Sequence, residues 1–178
     1  MNDVIWQETA VAEQYLSGVR GAIPLAEMQI AVMLRLIRAA RREQGVQAVL
    51  DLGCGDGVLG RAVLDQFPNA AGVMVDFSQP MLDEAQTRLA GQNVSLLALD
   101  YGQLGWQEKL PMQQFDVIVS GFSIHHQPDI RKKTLYAELF ELLSPSGIFL
   151  NLEHVASPTP WIEAQHDDLF IEAIVAHW

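Results

Sequence analysis

The chain has 178 residues, 49% hydrophobic and 19% charged, a composition that suits one globular domain able to bury a real core. Its net charge of −11 argues against broad binding of phosphate backbones, and the one basic group, Arg35, Arg38, Arg41 and Arg42, reads as a solvated helix face. A lone cysteine, Cys54, excludes an internal disulfide, and with neither a signal-like N-terminus nor an apolar run of transmembrane length, a cytoplasmic chain without membrane contact is expected.

Trp6 to Ser17 and, more strongly, Leu25 to Arg42 space their apolar residues as helices do, the second with Ile30, Leu34 and Ile37 on one face. Gly18 to Pro24 is a turn-rich break between them. Then strands and helices alternate. Ala48 to Leu52 is a short apolar run ending in Gly53, Gly55 and Gly57, with a helix predicted over Leu59–Phe67. Glycines allow a sharp turn and let a ligand lie against the backbone. The helix N-terminus behind them suits an anionic group, here a carboxylate. Asp51, at the strand's end, is placed to accept hydrogen bonds from the loop or from a cationic group of the ligand. Cys54 reads as a small residue packed in a crowded turn rather than a reactive thiol.

Ala71 to Val75 reads as the second strand, and Asp76 ends it roughly twenty residues past the glycines, where a ribose-binding carboxylate belongs. The two oxygens of one carboxylate match the two hydroxyls of a diol. Ser78 is a good N-cap for a helix over Pro80–Leu89. Val94 to Leu99 is a third strand, followed by Asp100 and an irregular stretch from Gly102 to Gln114. Phe115 to Ser120 is the fourth strand, Asp129 to Leu143 a helix, Gly147 to Glu153 the fifth strand and Thr159 to Trp178 a last helix. The expected fold is α/β: a Rossmann-like, doubly wound, mostly parallel sheet with helices on both faces and its ligand at the strands' carboxyl ends. Without repeats or a low-complexity linker, residues 1–178 are read as a single domain.

Asp51-Leu52-Gly53-Cys54-Gly55-Asp56-Gly57, Val75-Asp76-Phe77-Ser78, Leu99-Asp100-Tyr101, Phe115 to Ser120 with Ile124-His125-His126, and Leu143 to Ile148 follow one another in a familiar order. With these motifs the chain resembles the class I S-adenosylmethionine-dependent methyltransferases over about two-thirds of its length. The resemblance implies S-adenosylmethionine as cofactor, S-adenosylhomocysteine as product, and in-line transfer of a methyl group to an O, N or C atom of a small-molecule acceptor. It implies that Gly53, Cys54, Gly55 and Gly57 take the amino-acid end, with Asp51 near the ammonium and Asp76 on the diol. Phe77 and Met81 would pack on the adenine, Asp100 would accept from its amino group beside the N–H of Tyr101, and Ser120 joins the same site. Residues 1–45 become a helical lid over the core at 46–178, with Arg20 pairing with the methionine carboxylate and Tyr15 shielding the transfer site.

On the acceptor side, His125 is the candidate base, with His126 as a substrate contact and Glu153 across the crevice. A histidine bonded to backbone as packing is the alternative for either ring. His125, His126, Glu153 and His154 also raise a metal reading, yet without zinc-protease spacing or a helping cysteine no metal is expected. Some members of the resembled family act on transfer RNA, and the acidic balance tips the expectation towards a small acceptor. Gly55 to Gly60 matches G-x-G-x-x-G, which keeps an NAD(P)-dependent oxidoreductase as an alternative, although Gly55 comes two residues late for that fingerprint. A cofactor-binding module without turnover is the other. Members usually finish with an antiparallel strand pair that this sequence lacks, so a C-terminally truncated piece with a bare, self-associating sheet edge is expected.

Overall fold

The computed structural model describes residues 23–177. The first expected helix, with Tyr15 and Arg20, lies outside them. Three central strands, β1 (Ala48–Leu52), β2 (Ala71–Asp76) and β4 (Phe115–Gly121), are apolar nearly throughout because both of their faces are covered. They sit in one parallel sheet of order β3-β2-β1-β4-β5, with β3 (Val94–Ala98) and β5 (Leu143–Leu152) at the edges. Alternate residues feed alternate cores. Val49, Met74, Val117 and Val119 face α1 (Ala26–Ala40), α2 (Val58–Gln66) and α3 (Gln79–Arg88), which contribute Ile37, Val63 and Ala85. Leu50, Leu52, Val73, Val75 and Ile118 face Trp106 and Leu135, Leu139 and Leu142 of α4 (Asp129–Leu142). Each such Val, Leu, Ile or Met side chain stabilises the fold by about 1.5–3 kcal/mol on burial. The last helix is α5 (Pro160–His177).

Three expectations change. The helix expected over Leu25–Arg42 is shorter at both ends: Leu25 takes φ 58°, and Arg41 leaves the helix for the interior. Its guanidinium donates to Asp116 at 2.7 Å and to the carbonyls of Gly45 and Ser146 at 2.9 and 3.1 Å, so Arg41 is no part of a solvated basic face. Ser78 occupies the N-cap position of α3 without a side-chain cap, and Asp76 accepts its N–H instead, at 2.8 Å. The fifth strand starts at Leu143 rather than Gly147: Leu143 pairs with Phe115 and Ile148 with Val117, and the residues between bulge out through Ser146 at φ 65°. Asp116 holds that bulge by accepting from Ser144 Oγ at 2.8 Å.

Candidate active site

β1 has β2 on one side and β4 on the other, so the chain leaves the tips of β1 and β4 in opposite directions and a crevice opens between them. It holds a cavity of about 470 Å³, lined by the glycine loop, the end of β2, the loop after β4, Leu152, α1 and Phe170 of α5. Gly53, Gly55 and Gly57 all have positive φ (66°, 52° and 79°). At Gly53 the need is absolute, since a Cβ there would lie 1.8 Å from Ser123 Oγ. That hydroxyl is itself paired with Tyr101 Oη at 2.6 Å.

Asp51 turns to the helix behind the loop. Its Oδ2 accepts the N–H of Gly60 at 2.7 Å, satisfying one of the unpaired donors in the first turn of α2. Gly60 is the third glycine of the competing fingerprint, and a Cβ on it would come within 2.5 Å of Met74 Sδ, so it serves close helix–strand packing. Asp76 fastens two segments, accepting from Gly55 N–H at 2.9 Å and from Ser78 N–H at 2.8 Å while also lining the cavity. Burial pushes its carboxyl above the ordinary 3.8, and the N–H donors of Ser78, Gly55 and Phe77 offset only part of that. Phe77 and Met81 line the cavity beside it.

Past β4 the chain makes a single 3₁₀ turn over Ile124–His126, and Glu153 closes it. One carboxylate oxygen accepts the N–H groups of Ser123 and Ile124 at 3.0 and 3.1 Å; the other meets His125 Nδ1 at 2.7 Å. Both His125 and His126 line the cavity, their ring centroids 4.1 Å apart. Among the described residues no group of three or more His, Cys, Asp or Glu is arranged to hold a metal ion, and no helix is long and apolar enough to cross a membrane.

The cavity thus gathers Asp51, Gly53, Cys54, Gly55, Asp76, Phe77, Met81, His125 and His126. Five expected site residues stand outside its lining, and one of them, Glu153, reaches it only through His125. Gly57 starts α2, where a Cβ would meet Leu89 at 2.9 Å. Ser120 is fully buried and donates to the Leu52 carbonyl at 2.7 Å, tying two strand tips together. Asp100 is exposed, its oxygens accepting from Gly102 N–H at 2.7 Å and Gln103 Nε2 at 3.0 Å. Tyr101 is turned into the core, where burial drives its hydroxyl well above the ordinary 10.

Two supports were not foreseen from the sequence. The fully buried Asp56, within the glycine loop, pairs with Arg88 Nη2 at 2.6 Å, fixing the loop to the end of α3. Arg131 grips both oxygens of Glu138, at 3.1 and 2.7 Å, and Glu138 also accepts from Trp106 Nε1 at 2.7 Å, which locks the stretch after β3. A seven-residue spacing puts Arg131 and Glu138 on one face of a helix, a signal the sequence does carry.

Residues 49–147 match the family described as Methyltransferase domain, from β1 to the bulge in β5. An uncharacterized methyltransferase of Mycobacterium tuberculosis is 37% identical over 103 residues, which are 58% of this chain and 48% of that protein. A demethylmenaquinone methyltransferase of Leptospira interrogans is 32% identical over 127 residues, 71% of this chain and 50% of its own. The S-adenosylmethionine-bound structure of an amino pentose methyltransferase from Micromonospora echinaspora superposes with a TM-score of 0.58 at 26% identity, over 70% of this chain and 50% of that one. The chain spans about half the length of the curated relatives it matches. With more than half of its residues inside the family match, the chain belongs to the methyltransferase-domain family.

Proposed function

We propose that this chain binds S-adenosylmethionine across the tips of β1 and β2 and moves its methyl group to an O, N or C atom of a small molecule. The observation that carries the reading is a buried carboxylate, Asp76, lining one cavity with a turn of positive-φ glycines. The residues fit the cofactor. A Cβ on Gly55 would meet nothing within 4 Å, so the backbone there is open to an amino-acid end. Gly55 and Ser78 donate their N–H groups to different oxygens of Asp76, which holds the carboxylate at the cavity wall where a ribose diol would lie. Phe77 and Met81 supply apolar surface for a base. Family membership favours this over the nicotinamide alternative.

When bound, the sulfonium supplies an already activated methyl group. The chain's share is then orientation, for which well-placed groups contribute about 7–11 kcal/mol of the barrier. His125 takes a proton where the acceptor must lose one. A carboxylate only accepts, so Glu153 keeps the proton of the neutral imidazole on Nδ1 and leaves Nε2 a lone pair.

Calorimetry with adenosylhomocysteine and with NADH separates the readings, because the first should bind and the second should not. Asp76→Asn should weaken adenosylhomocysteine on the order of a hundredfold by removing the charge behind two hydrogen bonds. Only the ionised carboxylate accepts both hydroxyls, and burial has raised its titration, so affinity should fall as pH drops through that elevated point. An unchanged dissociation constant in the variant, or a flat pH profile in the wild type, would refute the ribose assignment.

A further inference from the structure

We infer that the acceptor is uncharged and ring-bearing and presents a weakly acidic hydroxyl, as phenols and dihydroquinones do. The inference rests on the methyl-transfer reading and names the acceptor class of that same cavity. Away from Asp76 the wall is Ile30, Phe122, Leu152 and Phe170, with His125 and His126 as its titratable groups. No Lys or Arg lines the cavity among the described residues, and the two carboxylates that do, Asp51 and Asp76, stand on the glycine-loop side. A carboxylate or phosphate on the acceptor would therefore be desolvated with no cation to pair among the described residues. An ammonium fares no better on that wall, since Asp51 and Asp76 stand on the glycine-loop side accepting backbone N–H groups, and Glu153 behind His125 already takes two backbone N–H groups and Nδ1.

Phe122 adds an independent sign. Its backbone sits at φ 50°, a region that bulky residues avoid, and its N–H donates to the Leu152 carbonyl at 2.8 Å. The fold thus holds an unfavourable conformation at the residue whose ring joins the cavity wall, and strain of this kind clusters at ligand sites. A flat apolar ring suits such a wall, and a hydroxyl on it gives His125 a proton to take. In the step, the O–H bond breaks with its proton going to His125 Nε2, and the oxygen bonds the methyl carbon. The C–S pair stays on sulfur, and the imidazolium returns the proton to solvent.

The test titrates adenosylhomocysteine first, then naphthol, naphthoate and naphthylmethylamine into the saturated protein at neutral pH, all by calorimetry. The three probes share a ring and differ in charge. Naphthol should bind at least about tenfold tighter than either ion, the penalty of an unpaired buried charge. Equal or tighter binding of an ion, or no binding by any of the three, overturns the acceptor class while leaving the cofactor reading intact. Failure of adenosylhomocysteine itself overturns both. Gln29→Lys places a cation in the lining at a half-buried polar position of α1. It should tighten naphthoate about fivefold without helping naphthol, and an unmoved naphthoate would show that the missing cation does not set selectivity.

Discussion

Glu153 makes three hydrogen bonds with two oxygens, and that arithmetic limits what His125 can do. The backbone donors hold the carboxylate in place, so the imidazole is oriented by a group that cannot itself swing away. Replacing Glu153 by Gln puts an amide donor against Nδ1, which then has to accept, and the neutral ring's proton moves to Nε2. Nitrogen-15 spectra of the imidazole should show that exchange of tautomers, with turnover falling while adenosylhomocysteine affinity holds. His125→Ala should slow turnover by about a hundred- to ten-thousandfold with the same unchanged affinity. If the alanine variant loses cofactor binding, the histidine is architectural and the proposed base is wrong. The acid at the strand's end and the paired histidines are plain in the sequence. Their union is not, because the partners lie 28 to 30 residues apart and no local spacing announces them.

At the scale of elements, the strand tips that build the site were legible because glycine and aspartate at strand ends interrupt apolar runs in a distinctive way. What the sequence hid is how the opposite end of the sheet is fastened. Asp116 accepts from Arg41, from Ser144 Oγ and from the N–H groups of Gln47 and Ala48, which joins α1, β1, β4 and the bulge of β5 at one carboxylate. Arg41 looked like one more surface arginine, since only a contact 75 residues away removes it from water. Burial alone would raise the Asp116 carboxyl, but the donors of Gln47, Ser144 and Ala48 and the charge of Arg41 outweigh it and hold the group below its ordinary 3.8. A depressed acid contributes stability that is present above its unfolded value and is lost as pH falls through the folded one. Asp116→Ala should therefore cost about 3–5 kcal/mol at neutral pH, the toll of leaving Arg41 buried and unpaired. It should also flatten the acid limb of the stability curve below about pH 4. A variant as stable as the wild type in urea at pH 7, or one with the same acid limb, would remove Asp116 from this role.

The whole molecule is acidic, −11 in 178 residues, and its charges are unevenly committed. Of the four arginines near the end of α1, Arg41 is buried against Asp116 and so leaves the basic stripe read from sequence, while the exposed Arg38 donates to the amide of Gln66 at 2.9 Å. Arg88 and Arg131 are likewise paired with Asp56 and Glu138. Phosphate backbones are held by several free cations acting together, each releasing a counterion, and the affinity falls steeply with salt. With Arg41, Arg88 and Arg131 committed to carboxylates of the chain itself, few clustered cations are left to act together, and among the described residues the cavity wall adds none. Transfer RNA should therefore bind more weakly than about 100 µM near physiological salt, the weak end of non-specific association. Fluorescence anisotropy with labelled transfer RNA, run at two salt concentrations, measures this directly. Micromolar binding that weakens as salt rises would mean that a nucleic-acid surface exists on this chain, and a large polyanionic acceptor would then displace the small neutral one.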